Sequence, residues 1–559
     1  MKTARKITGF VALVLNLFNL LMFFALRPCW SGTSKTLGYK DGGSAFLYYL
    51  PLYLCILLAV IALLCLIFFL AKKDGKVWPF VFAGIGVLFL AANLVIIALG
   101  AADYMRFVWP NFWKSVAAVL VILALCFLIF VYPKTSLRDS KAFKYSLLGV
   151  TILCAGLILT RFAVNYVSYE PVVYAVEDEY QIVFSTNAQS LASVRVDGQE
   201  YYDLYNGSEK SGSLVHKICV PMEVLDRAGG YEILAQRVFY RGPFGGFLGR
   251  TIEKSYHFRP VDPSDGIDYF CFSDVHMMKK ATLETEKQAG DYDFLVLCGD
   301  MISMVDSFAD ANYANELAFA MTGGEIPVIY ARGNHEVKGA YAEQLDRYVG
   351  SRNGMFYYTV HLGDIYVIVL DIGEDHYDGW WEFYGTAHYD DYHADQYDFI
   401  RAELDSGEYK NYGYTLCVSH IPVVYVNYRR DHVDVKARFT ELLNQMDLDM
   451  AVCGHQHELL IFEPGAVEPF VSPLVYNEEY EGGTYNGYLT DFNFWNLMIT
   501  AGGFTQPESD DDPASRIGLK IEVTPSEQVC YWLNSRGEKV RVVNPFADID
   551  YGTEIRIPR

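Results

Sequence analysis

The sequence predicts three regions in series: a multi-spanning α-helical membrane region over 1–165, a small β-sandwich over 166–262, and an α/β domain over 263–559 that ends in a β extension. Three observations predict this division. Charge splits sharply, with 16 Lys/Arg and 4 Asp/Glu in residues 1–165 (net +12) against 29 basic and 63 acidic residues in the remainder (net −34). Long charge-free runs crowd the first part, while turn-punctuated strands and then alternating strands and helices fill the rest. All twelve histidines lie beyond residue 165, so the residues equipped for chemistry belong to the second part.

The apolar runs are 7–26, 47–71, 78–101, 115–132 and 146–164, each near the ~20 residues that cross a bilayer. A run such as LYLCILLAVIALLCLIFFLA is apolar on every side, which argues against an amphipathic surface helix. Arg161, near the end of the fifth run, can snorkel to the interface. The basic MKTARK before the first run resembles a signal peptide. Four further runs and the lack of a small-residue cleavage site favour an uncleaved first span. Lysines and arginines at the amino terminus and in 72–77 and 133–145 place those segments inside. Five spans then put everything after 165 outside, giving a multi-pass cell-membrane protein with an extracytoplasmic domain and the lipid bilayer as a partner. Polar residues within the spans are few (Asn16, Asn19, Asn93), so anchoring is expected rather than transport.

Residues 166–262 contain short alternating segments such as EYQIVFST, ASVRVDG and VHKICVP, separated by Gly and Asn, as in a β-sandwich. From 265 onward apolar strands alternate with amphipathic stretches at 279–290, 307–321, 393–406 and 435–446, the pattern of a layered α/β domain. Cys271, Cys298, Cys417 and Cys453 sit in apolar runs as small buried hydrophobes, and no disulfide framework or zinc knuckle is visible. The informative feature is how the strands end. IDYFCFSDVH ends at Asp274 and His276, FLVLCGD at Asp300, and IPVIYARGNHE at Asn334, His335 and Glu336. YTLCVSH ends at His420 and LDMAVCGHQH at His455 and His457, which strand alternation would aim at one spot. Each ending alone is an ordinary turn. Five of them at the carboxyl edge of one α/β sheet, where ligands bind, point to a metal site. Paired-histidine helices of the metalloprotease type and phosphate-cradling glycine loops are both missing from the sequence.

In this order, Asp-x-His, Gly-Asp, Gly-Asn-His-Glu, His and Gly-His-x-His, the motifs resemble the calcineurin-like metallophosphoesterase superfamily over roughly 266–505. The resemblance implies two mixed β-sheets packed together and flanked by helices. It implies two divalent or trivalent metal ions (Mn, Fe, Zn or Co), one held by Asp274, His276 and His457, the other by Asn334, His420 and His455. Asp300 would bridge them, and His335 would be the catalytic histidine. The implied function is phosphoric ester hydrolysis, mono- or diester, by hydroxide held between the ions. Glu336 or Asp306 would orient His335. A weaker resemblance links the preceding β-rich segment, with ARGNHE, to purple acid phosphatases and their fibronectin-like sandwich. That family has glycine where this chain has His276 and a tyrosine ligand where it has Ser303, so a fixed ferric ion is not implied. The Gly-Asp-x-x-Asp pattern is also missing.

Residues 373–395, GEDHYDGWWEFYGTAHYDDYHAD, are expected either to wall the site, with His376, His388 or His393 touching substrate, or to pack as a surface loop. A region at −34 repels long polyanions, so nucleic acid is not an expected partner. Small phosphate esters, lipid- or wall-linked ones included, are. The alternative function is a non-catalytic phosphate-sensing or regulatory domain attached to the membrane module.

Overall fold

The computed structural model divides the chain into two compact units, Met1–Arg161 and Phe162–Arg559. Before residue 165 it describes chiefly 11–16 and 78–99, with short pieces of 140–152. After that it describes most of 165–465, together with 478–480, 483–485, 492–499, 516–544 and 549–559.

In the first unit one apolar helix, α1 (Trp78–Leu99), is described along its length, and its side chains are described over 81–94. Among the described residues no helix is long and apolar enough to cross a membrane. The expected five-span membrane region, and with it the multi-pass membrane location, is corrected on that finding. Most of the other four apolar runs lies outside the described residues. The three amides singled out in the sequence have a structural use here. Asn16 Nδ2 donates to the Phe82 carbonyl (2.9 Å) and Asn19 Nδ2 to that of Gly86 (2.7 Å). Asn93 Nδ2 donates to Asn19 O (3.2 Å). The N–H groups of these buried amides thus find acceptors on neighbouring backbone.

The second unit is built on two sheets. Its strands are β1 (Val167–Val176), β2 (Glu179–Val196), β3 (Gly212–Pro221), β4 (Gly230–Gly242) and β5 (Gly245–His257). β6 (Ile267–Phe272), β7 (Phe294–Cys298) and β8 (Pro327–Ala331) follow. Then come β9 (Tyr358–Leu362), β10 (Ile365–Leu370), β11 (Tyr414–Ser419), β12 (Met450–Cys453), β13 (Ile461–Phe462) and β14 (Trp495–Met498). The last are β15 (Gly518–Val523), β16 (Glu527–Leu533) and β17 (Ile555–Pro558). The larger sheet has 12 strands in the order β17-β16-β15-β6-β7-β8-β1-β2-β4-β5, with β3 and a short strand, Gln199–Tyr202, also paired to β2. The smaller has six, in the order β9-β10-β11-β12-β14-β13.

The strands of the expected sandwich over 166–262 are hydrogen-bonded in series with the larger sheet. β1 runs parallel to β8, with Val173 opposite Pro327 and Tyr174 opposite Val328, so the amino-terminal strands prolong the central sheet. The side chain of Gln181 fastens the extension further, accepting from Ser351 N (3.1 Å) and donating to Ser351 O (2.9 Å).

Alternation along the strands sets the layers. Tyr269, Cys271, Val296, Cys298 and Ile329 meet Val367, Val369, Leu416, Val418 and Val452 in one core between the sheets. Phe270, Phe272, Leu295, Leu297 and Val328 point the other way and pack with Ala314, Leu317 and Ala318 of helix α2 (Tyr313–Thr322). Tyr366, Ile368, Leu370 and Cys417 cover α3 (Tyr389–Ser406) and α4 (Val433–Leu443) on the outer face of the smaller sheet. Strands buried on both faces read as the unbroken apolar runs seen in the sequence. The mixed α/β domain, two packed sheets flanked by helices, is the architecture expected for this part.

Candidate metal centre

Parallel strands β6, β7 and β8 stop within one register step of each other, Leu295 lying opposite both Phe270 and Val328. The residues just past their ends therefore converge. β11 and β12 do the same in the smaller sheet, where Val418 is opposite Val452. The connecting backbone is sharply kinked. Asp274 (φ 53), His276 (φ 46), Asp300 (φ 57), His455 (φ 74) and His457 (φ 55) all occupy the left-handed region. That region costs a non-glycine residue of order 1–3 kcal/mol and is concentrated at functional sites. His455 and His457 are aimed by these kinks and not by strand alternation, because β12 already ends at Cys453.

Glycines of the motifs make room for the donors. A Cβ on Gly454 would collide with Ser273 Oγ and come within 2.6 Å of Asp274 Oδ2. One on Gly333 would strike the Asp300 carboxylate and backbone, and one on Gly299 would lie 2.5 Å from the His420 ring.

All seven expected donors come together. Asp274, His276 and His457 form one group and Asp300, His420 and His455 another, while His276, Asp300 and His335 form a third, with ligand atoms within 4.8 Å of one another in each. His457 Nε2 stands 3.1 Å from Asp274 Oδ1 and 3.2 Å from His276 Nε2. Asn334 Oδ1 stands 3.1 Å from His455 Nδ1. Asp300 Oδ2 faces both halves, 3.3 Å from His420 Nε2 and 3.7 Å from His276 Nε2. Donors about 3.0–3.4 Å apart are spaced as atoms sharing one ion at ~2.1 Å would be. Asp274 Oδ1 and His420 Nε2 are buried and make no hydrogen bond of regular geometry, so both face into the cluster open to another partner. These residues fit a metal centre.

Electrostatics agree with that use at His276, Asp274 and Asp300, whereas His420 would release a proton on ligating. Burial pushes His276 down to about 3, so it is neutral and can ligate. Burial also lowers His420, but Asp300 and Asp274 outweigh it and raise the ring to about 10. Burial opposes ionisation of Asp274, yet His457 and His420 hold its carboxyl well below the usual range. Asp300 is likewise held low, chiefly by His420 and His335 against its own burial.

His335 is partly exposed beside this cluster, Nε2 at 3.8 Å from Asp300 Oδ2 with its side chain 35% accessible. Neither carboxylate expected to orient it does so. Its Nδ1 is 2.9 Å from the Ser303 carbonyl, which fixes the ring by accepting Nδ1–H. Glu336 instead accepts from the amides of Met301 (2.7 Å), Asp300 (2.9 Å) and Gly333 (3.1 Å). Asp306 accepts from Ala340 N.

The loop histidines play other parts. His393 is buried, its Nε2 2.8 Å from the Ile372 carbonyl. His388 is exposed and paired with Asp391 (2.9 Å), and His376 stacks on Trp380 at 4.1 Å between ring centres. The loop's contribution at the cluster is Glu374, whose Oε1 accepts from Asn334 Nδ2 (3.2 Å) and whose Oε2 pairs with Lys338 (2.5 Å). Ser273 Oγ, which no sequence motif marks, lies 2.7 Å from both Asp274 Oδ2 and Cys298 O. A glutamate forty positions from its partner leaves no spacing signal; a serine beside Asp274 at least adjoins the motif.

Residues 269–459 match the family model of calcineurin-like phosphoesterases. The match takes in about a third of the chain and contains all eight residues just described from Asp274 to His457. The chain thus carries a calcineurin-like phosphoesterase domain, a metal-dependent phosphoric ester hydrolase whose relatives use dinuclear centres. Solved structures with similar stretches include a purple acid phosphatase from yellow lupin (Lupinus luteus) seeds, at 14% identity and TM-score 0.44, covering 70% of this chain and 75% of that one. PhoD is similar at 10% identity and TM-score 0.40, covering 69% and 88%. A metallophosphoesterase from Sphaerobacter thermophilus gives 13% identity and TM-score 0.22, covering 46% and 84%. No curated protein matches the chain.

Proposed function

We propose that this chain hydrolyses small phosphate mono- or diesters at a centre of two metal ions. One ion is assigned to Asp274, His276 and His457, the other to Asn334, His420 and His455, with Asp300 shared. The observation that carries the reading is Asp300 Oδ2, placed 3.3 Å from a donor of one group and 3.7 Å from a donor of the other. Two such ions would lower the pKa of water and offset charge on phosphoryl oxygens. The chain's own residues then divide the remaining work. Asp300 and Asp274 supply the negative charge that draws cations into a buried site. His276, neutral, and His457 complete one half. His335, its Nδ1–H held by Ser303 O, presents Nε2 beside the cluster, and in its imidazolium form would give the Nε2 proton to the leaving oxygen. An intact donor set favours hydrolysis over a purely sensory domain.

The test is hydrolysis of an aryl phosphate monoester and diester by the full chain with manganese. His335→Asn is expected to lower kcat by about 10²- to 10⁴-fold and leave metal content unchanged. Equal kcat in that variant would remove His335 from the chemistry.

A further inference from the structure

Asn334 differs from the other donors because its carboxamide has two nearly isosteric ends, of which only the oxygen can ligate a cation. Something must choose the end. On the far side of the amide from His455 stands Glu374, buried with 2% accessibility, in a segment that no strand-end motif marks. Its Oε1 accepts from Asn334 Nδ2 at 3.2 Å while Asn334 Oδ1 faces His455 Nδ1 at 3.1 Å. A carboxylate has no proton to offer, so the reversed amide would set oxygen against oxygen. The buried charge is supported in turn by Lys338, 2.5 Å from Oε2, which lies four residues beyond Asn334 in the same loop.

From this geometry we infer that Glu374 is a positioning residue: it locks the Asn334 carboxamide with its oxygen toward the metal centre, and Lys338 holds the carboxylate in place for that role. The inference rests on the proposed ligand role of Asn334. Hydrogen-bonding groups behind a metal ligand commonly carry 10- to 100-fold of metal affinity. A mere loop fastener, joining the 373–395 segment to Lys338, would cost affinity whatever side chain stood at 334. A positioning residue matters only where there is an amide to orient.

The experiment is titration of the full metal-free chain with manganese(II), following the stoichiometry and affinity of each equivalent, in a double-mutant cycle. Glu374→Leu is expected to weaken one of two equivalents by about 10- to 100-fold. Glu374→Gln, which keeps an acceptor oxygen, should recover most of that loss. In an Asn334→Asp background, where both oxygens are equivalent, Glu374→Leu should cost nothing or even strengthen binding by removing a like charge. An equal loss in both backgrounds, or no loss in either, would overturn the positioning role. Asn334→Ala separates the two readings: if it binds both equivalents as tightly as the parent, the ligand assignment itself fails. If Asn334→Ala weakens one equivalent and Glu374→Leu does not, the positioning inference alone fails. Should the leucine variant not fold, Lys338→Met carries the comparison: it should weaken the same equivalent in the parent and be silent in the Asn334→Asp background.

Discussion

At the scale of residues, the site is held by backbone in an unfavourable region and by glycines that give way to donors. Gly454→Ala would drive a methyl into Ser273 Oγ and the Asp274 carboxylate, so metal content should fall to about one equivalent or less and activity by at least ~100-fold. Metal analysis of the purified variant checks this. Glu336 makes a different prediction. It is buried, its pKa pushed up to about 8 by burial and the Asp300 charge, yet three amides donate to its two oxygens. Glu336→Gln turns one acceptor into a donor facing N–H groups, a loss of about 1–3 kcal/mol, and thermal unfolding should show a midpoint several degrees lower. The donors were legible because aspartate, asparagine and histidine at successive strand ends follow a chain-local pattern. The partner of His335 was not, because a backbone carbonyl has no residue type: Ser303 contributes its C=O and could have been many residues. Glu374 was hidden for a related reason, its contact to Asn334 being made across loops.

Elements show where local pattern stops being sufficient. Alternation in VVYAV and QIVFS identifies strands but not their neighbours. Whether β1 closes a separate sandwich or joins β8 depends on an edge that lies far along the chain, Pro327 standing opposite Val173. A fragment containing only 263–559 would expose that edge of β8 and much of the apolar face beside it. It is expected to lack a cooperative unfolding transition, whereas Phe162–Arg559 should show one; denaturant titration of the two fragments decides, and a cooperative transition in the shorter one would restore the separable sandwich. The same junction carries a pH signature. Lys217 on β3 donates to Ser351 Oγ at 2.8 Å, and burial lowers it from 10.5 to about 8 against a smaller opposing pull from Asp346. Between those values the unfolded chain binds more protons than the folded one, so this lysine makes stability rise with pH. Lys217→Met should flatten that rise when denaturation midpoints are compared at about pH 8 and 10.

At the scale of the molecule, the two sheets bring the strand ends of one half against those of the other, and that meeting turns scattered motif residues into one centre. The acidic balance of the second part, −34, keeps long polyanions away, while the centre's own ions would set the local field for a small phosphate ester. Composition spoke clearly about the α/β domain, since its strands and helices must share one core. It misled about the first 165 residues, where apolar runs fit the length of a span and the described residues contain no helix that is long and apolar enough. The central claim is the paired centre built on Asp300. Its most direct test is the number of manganese ions bound by the full chain, parent against Asp300→Asn, with aryl phosphate turnover read on the same samples. Two equivalents with turnover in the parent, and loss of both in the variant, is the predicted result. Turnover that survives complete removal of metal, or a variant that keeps two equivalents and full activity, would contradict it.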